Sequence, residues 1–187
     1  MPWNMITYAD IQQLPVPEQL FTYADAYRSA ASALCQQMTN DARSRTWPNA
    51  AVVLILAAHA VELFLKGAVL KRSPDAKVWA RQHNIDDLSA DYRAQFPEPS
   101  FEWNIPFTSG LTEEEWKAQM KAVHPSLTEA EIEGLRAATP PPSILYRYPV
   151  EKDGSEWRGV YGFEPHSFLV LLGQVEIDFE RIKSQLA

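Results

Sequence analysis

Three polar side chains that could do chemistry interrupt the most apolar stretch of the chain. Residues 50–70 read AAVVLILAAHAVELFLKGAVL, in which only His59, Glu62 and Lys66 are strongly polar. Spacings of three and four residues place all three on one stripe of a helix. Such a stripe can form an internal ion pair, contribute ligands to a metal ion, or bind an anionic group.

The acid and the base of this stripe are in the favourable order for an ion pair within a helix. Glu62 precedes Lys66 by four residues. The pair could be purely architectural, with His83 or Arg147 completing a network that satisfies two buried charges. Alternatively, Lys66, His83 and Arg147 could line a pocket for an anion such as phosphate. If the stripe is functional, five residues are candidates for ligand binding: His59, Glu62, Lys66, His83 and Arg147.

A metal site or a cofactor is not expected. His59 and Glu62 offer two ligands on one helix face, whereas a di-iron bundle site needs Glu-x-x-His on two helices and further carboxylates. Cys35 is the single cysteine, which excludes an internal disulfide and a cysteine-based zinc site. We interpret His59 as a hydrogen-bonded core histidine and Cys35 as an inert buried thiol.

The apolar stretch itself predicts a central helix. Apolar residues cover almost all faces of residues 50–70, as expected for a helix packed on several neighbours, and Gly67 would allow one neighbour to approach closely. His59 and Glu62 near its middle argue against a membrane span. No signal-peptide pattern precedes it. We therefore expect a cytoplasmic protein without a membrane partner.

Periodic apolar residues predict three further long helices around the central one. One covers residues 17–40 and begins at a proline, and the last begins at Pro165. Between them, Asn84 followed by Asp87 resembles a capping box and begins a helix that ends near Phe96. These helices predict a mainly α fold, arranged as a four-helix up-and-down bundle.

The rest of the chain predicts elaborations of that bundle. Residues 97–142 form an insertion with two short helices, each introduced by a Thr-x-x-Glu cap. Residues 144–150 and 157–163 are aromatic and β-branched and flank Asp153-Gly154, which predicts a small β-hairpin or a structured loop before the last helix. The whole chain, residues 1–187, is expected to be one domain.

Charge limits the kinds of partner that the chain can have. Seventeen basic and 24 acidic residues give a net charge of −7. This balance favours solubility and argues against a broad, nonspecific contact with the phosphate backbone of nucleic acid. Any anion-binding site must therefore be local.

Three motifs occur in the order known from one family of helical domains. Residues 59–67, HAVELFLKG, resemble a Glu-Leu-x-x-Lys signature in the second helix of that family. Residues 83–88, HNIDDL, are similar to its His-Asp-Leu-x-x-Leu motif, with Asn for Asp and Ile for Leu. Residues 145–149, LYRYP, resemble the Arg-Tyr-Pro element that often precedes its last helix. The chain thus resembles HEPN-type (higher eukaryotes and prokaryotes nucleotide-binding) domains over about residues 20–96 and 145–186, and the insertion is unmatched.

This resemblance implies a four-helix bundle that is frequently a homodimer. Family members include metal-independent ribonucleases of toxin–antitoxin and phage-defence systems as well as noncatalytic modules. The ribonucleases use an Arg followed after four to six residues by His, and this chain has no such pair. Arg158 and His166, separated by seven residues, come nearest and are the catalytic candidates.

The function expected from this resemblance is noncatalytic or atypical. The chain would be a nucleic-acid- or nucleotide-associated homodimer of a defence or toxin–antitoxin type system, with RNA, a nucleotide or another protein as its partner. Two alternatives stay open. One is a purely structural protein–protein interaction module, and the other is an atypical metal-independent ribonuclease.

Overall fold

The computed structural model describes residues 6–81, 83–108, 113–138, 146 and 162–186. These residues are mainly helical and include no β-strand, which confirms the mainly α prediction. Most of the predicted hairpin lies outside the described residues, as do Arg147 and Arg158.

Seven α-helices account for most of the described residues. They are α1 (Ala9–Gln12), α2 (Val16–Asn40), α3 (Trp47–Arg72), α4 (Ile85–Gln95), α5 (Glu113–Val123), α6 (Glu129–Ala138) and α7 (Pro165–Leu186). Short 3-10 turns cover Ala42–Ser44, Val78–Arg81 and Pro99–Phe101.

Side chains at the helix starts explain several of these boundaries. Before α4, the Asn84 Oδ1 atom accepts a hydrogen bond from the Asp87 backbone N–H at 3.1 Å. Before α6, Thr128 and Glu131 form the predicted capping box: the Glu131 Oε2 atom accepts from the Thr128 N–H at 2.7 Å, and the Thr128 Oγ1 atom accepts from the Glu131 N–H at 3.3 Å. The other predicted box begins at Thr112, outside the described residues.

Helix α3 is the centre of the fold. It packs against α2, α4 and α7, and α2 also packs against α7. The Phe64 ring of α3 stacks on the Phe179 ring of α7, with centroids 3.8 Å apart. On another side of α3, a Cβ atom at Gly67 would lie 2.8 Å from the Phe21 Cε1 atom of α2. This contact confirms that Gly67 permits a close approach.

The start of the predicted insertion belongs to the main core. Trp103 and Ile105 are buried, and the Trp103 ring packs edge-on against both Phe64 and Phe179, with centroids 5.9 and 5.8 Å away. Farther along, α5 and α6 pack against each other, and Lys117 pairs with Glu133 at 3.3 Å. The segment after α4 therefore closes one side of the core before the two short helices begin.

Among the described helices, α3 alone is long and apolar enough to cross a membrane by length and composition. Within its most apolar window, 72% of the residues are buried inside the protein. The central helix of a packed core meets the same criteria, so this feature is weak evidence for a membrane span.

Candidate functional site

One cluster of charged and titratable side chains joins α3 to the turn before α4. His59, Glu62 and Lys66 come from successive turns of α3, as their spacing predicts, and His83 comes from the residue before the α4 cap. We call these four residues the polar cluster. Both oxygens of the Glu62 carboxylate accept hydrogen bonds, Oε1 from Lys66 Nζ at 2.6 Å and Oε2 from the Nδ1 atoms of His83 and His59 at 3.1 and 3.3 Å.

Glu62 is a buried anion with three donors. Its side chain is 1% exposed. Burial alone would raise its pKa, but hydrogen bonds from His59, Lys66 and His83, together with the charge of Lys66, outweigh burial and lower the pKa to about 2. Glu62 is therefore ionised at neutral pH and can hold its three partners in place.

Lys66 is buried beside this carboxylate. Its side chain is 6% exposed, and its Nζ atom lies 5.4 Å from the centroid of the Trp79 ring, a distance suited to a cation–π contact. Trp79 belongs to the 3-10 turn Val78–Arg81 and is itself 57% exposed. The turn thus covers Lys66 with an aromatic ring on the side away from the core.

The two imidazoles form the solvent-facing edge of the polar cluster. The side chains of His59 and His83 are 27% and 38% exposed. The His59 ring also packs edge-on against the Tyr27 ring of α2, with centroids 4.6 Å apart. Because an ionised carboxylate can only accept, each Nδ1 atom that faces Glu62 carries a proton, and a neutral ring then has a free acceptor at Nε2. A solute can reach the cluster from this edge.

Three potential metal ligands converge in the same place. One ligand atom each from His59, Glu62 and His83 lies within 4.8 Å of the other two. The sequence identified the first two as neighbours on a helix face. The sequence could not show that His83 supplies the third ligand. His83 approaches Glu62 from the turn before α4, and the path of that turn cannot be predicted from a helical repeat.

The candidates near the last helix lie in a different environment. His166 is exposed in the first turn of α7, where the Glu164 carboxylate accepts from its backbone N–H at 3.0 Å. It borders a cavity of about 260 Å³ that is also lined by Arg45 and Thr39. The Arg45 guanidinium donates to the carbonyls of Met38 and Thr39, both at 2.8 Å. No signal in the sequence linked Arg45 to His166.

Cys35 has the environment predicted for an inert thiol. It is fully buried in α2, and its Sγ atom donates to the Pro165 carbonyl at 3.1 Å. Burial, and then the negative charge of Glu164, raise the pKa of the thiol. Cys35 therefore contributes to the packing of α2 against the start of α7.

Comparison of the chain with protein-family models, curated proteins and solved structures gives no match. The resemblance to HEPN-type domains consequently rests on the three sequence motifs.

Proposed function

We propose that the chain is a HEPN-like domain that binds a nucleotide or RNA without cleaving it, in a defence or toxin–antitoxin type system. The observation that carries this proposal is the 3.1 Å hydrogen bond between Glu62 Oε2 and His83 Nδ1. It joins a residue of the Glu-Leu-x-x-Lys motif to the first residue of the His-Asp-Leu-like motif, 21 positions along the chain. Two motifs that the resemblance pairs thus contribute to a single site.

In this proposal, α2, α3, α4 and α7 form a four-helix up-and-down bundle in a cytoplasmic homodimer. The contacts of α3 with the other three helices, and of α2 with α7, support this arrangement. The short connection between α2 and α3, residues 41–46, also favours antiparallel neighbours.

The polar cluster would recognise the phosphate group of the ligand. The charges of Glu62 and Lys66 offset each other, so within the described residues attraction for an anion must come from the exposed imidazoles. The resemblance adds Arg147, which lies outside the described residues, as a further candidate. Glu62 orients the donors, while His59 and His83 can donate hydrogen bonds to phosphate oxygens when protonated. With a net charge of −7, the protein can bind RNA only through such a local site.

A binding titration tests this proposal. Fluorescence anisotropy with a labelled single-stranded RNA, and calorimetry with a nucleoside monophosphate, should both detect binding by the wild type. His83→Ala and Arg147→Ala should each weaken binding at least tenfold, because each loses a direct contact worth about 1.5–3 kcal/mol. Arg43→Ala removes an exposed arginine outside the cluster and should change nothing. Equal binding by all four proteins would refute the pocket.

An interaction module is the second candidate function, and one observation favours it. The Glu62 carboxylate already has three donors and is 1% exposed, so this buried anion is satisfied without a ligand. In that case the cluster would only stabilise the fold. His83→Ala would then lower the free energy of unfolding, and no nucleotide or RNA would bind to the wild type.

The same protein preparation distinguishes the ribonuclease alternative. We expect no cleavage of mixed RNAs in the absence of divalent metal. Cleavage that is lost in Arg158→Ala and in His166→Ala would instead support an atypical ribonuclease built on those two residues.

A further inference from the structure

We infer that His59, Glu62 and His83 form a three-ligand zinc site with an open fourth position. This inference revises the expectation of no metal, which rested on only two ligands along one helix face. Zinc binding itself does not depend on the proposed function.

The distances between the three residues suit a single small metal ion. Zinc–nitrogen and zinc–oxygen bonds of about 2.0–2.1 Å in tetrahedral geometry place neighbouring ligand atoms about 3.3 Å apart. Glu62 Oε2 lies 3.1 Å from the Nδ1 atom of His83 and 3.3 Å from that of His59. All three ligand atoms lie within 4.8 Å of one another, so the distance between the two imidazole ligand atoms exceeds the tetrahedral value by about 1.5 Å at most.

The chemistry of the donors narrows the choice of metal to a transition-metal ion. Two imidazoles and one carboxylate form one of the ligand sets of catalytic zinc, in which water or substrate occupies the fourth position, and the same set also binds Fe(II). Magnesium and calcium prefer sites made only of oxygen ligands. Each neutral imidazole would bind zinc through Nδ1 and carry its proton on Nε2, so the exchange of tautomers releases no proton.

Lys66 would support such a site from behind. Its Nζ atom binds Glu62 Oε1 at 2.6 Å, which fixes the carboxylate plane and leaves Oε2 directed at the imidazoles. Tyr27 limits the rotation of His59 through its edge-on ring contact. The more exposed His83 completes the set from the turn before α4, which places the open position at the solvent edge.

Charge favours an anion as the fourth ligand. A zinc ion with Lys66 and Glu62 gives a local charge of about +2 when the imidazoles are neutral. A phosphate oxygen at the open position would reduce that charge. This second step rests on the proposed function, because it assigns the phosphate of the nucleotide or RNA to the metal.

Calorimetric titration with zinc chloride tests the site in the full chain after removal of metal with a chelator. We expect one zinc ion per chain, and binding at least tenfold weaker in His83→Ala and in His59→Gln. His124→Ala removes an exposed histidine outside the cluster and should bind zinc as the wild type does. Circular dichroism checks that each variant is folded, and Co²⁺ should give a visible absorption band with the wild type that His83→Ala lacks.

Two outcomes overturn the inference. The first is a wild type that does not bind zinc at a saturable one-to-one ratio. The second is zinc binding by His83→Ala as tight as that by the wild type and by His124→Ala. The zinc titration alone decides the metal site. Nucleotide binding that persists in the presence of a chelator would support the phosphate pocket of the proposed function without zinc, so the two proposals can fail separately.

Discussion

Lys66→Met should destabilise the protein far more than the same change at Lys71, although both lysines make ion pairs of the same length. Lys66 Nζ lies 2.6 Å from Glu62 Oε1, with the two side chains 6% and 1% exposed. Lys71 Nζ lies 2.6 Å from Glu18 Oε1, with both side chains 35% exposed. The two variants therefore differ mainly in how deeply the partner carboxylate is buried.

Burial sets the size of the expected effect. Two unit charges 2.6 Å apart attract by about 6 kcal/mol at an effective dielectric constant of about 20, and most of this offsets the loss of hydration. Without Lys66, Glu62 remains buried with only two imidazole donors, and we expect a loss of about 3–5 kcal/mol in the free energy of unfolding. The exposed pair at Lys71 should contribute about 0–1 kcal/mol.

Urea unfolding at pH 7, followed by circular dichroism, measures both losses provided that the slope with denaturant is unchanged. Removal of Lys66 should raise the pKa of Glu62, so the cost of Lys66→Met should shrink as the pH approaches 4.5. Adding Glu62→Gln to Lys66→Met should recover part of the loss. If Lys66→Met and Lys71→Met differ by less than about 1 kcal/mol at pH 7, Glu62 is not a buried anion that depends on Lys66.

Three further predictions concern packing, reactivity and acid. Gly67→Ala should lower the free energy of unfolding in urea by about 1–3 kcal/mol, because the new Cβ would lie 2.8 Å from Phe21 Cε1. The control Gly173→Ala, whose new Cβ would have no atom within 4 Å, should raise it by about 0.5–1 kcal/mol. Equal effects would contradict the packing of α2 on α3. Cys35, fully buried and with its pKa raised by burial, should resist a thiol reagent at pH 8 until urea unfolds the protein, and rapid native labelling would contradict its burial. The pKa of Glu62 is about 2 in the folded protein and near 4.5 in the unfolded chain, so its ionisation should contribute on the order of 3 kcal/mol to the free energy of unfolding above pH 4.5 and lose that contribution as the pH falls toward 2. Between pH 2.5 and 6, the free energy of unfolding should therefore depend less on pH in Glu62→Gln than in the wild type. Equal slopes in the two proteins would contradict the lowered pKa.

The long helices could be predicted from the sequence because their signals are local. An amphipathic period beginning at a proline predicts residues 17–40, and the structure has Val16–Asn40. The Asn84 cap and the following prolines similarly fix both ends of α4. In each case neighbouring residues determine the boundary.

Other features depend on contacts between distant residues. Trp103 lies in a segment without helical periodicity, so nothing in the sequence indicated that its ring packs edge-on against both Phe64 and Phe179. Glu164 caps α7 by accepting from the backbone N–H groups of His166 and Ser167, although Glu is not among the residues most favoured at that position.

The polar cluster falls between these two cases. The helical period placed His59, Glu62 and Lys66 on one stripe and could predict their ion pair. The approach of His83 to Glu62 depends on the turn that leads from α3 to α4, and this turn follows the packing of the two helices. The sequence could therefore identify all four residues as candidates but could not establish their distances.

Whether the polar cluster binds a ligand can be measured most directly by NMR of the histidine side chains. The chain has four histidines, of which His59 and His83 belong to the cluster while His124 and His166 lie outside it. Titration of ¹⁵N-labelled protein with a nucleoside monophosphate should shift the ring signals of His59 and His83 saturably and leave the other two unchanged. Unchanged His59 and His83 signals, or equal shifts of all four histidines, would contradict a ligand site at the polar cluster.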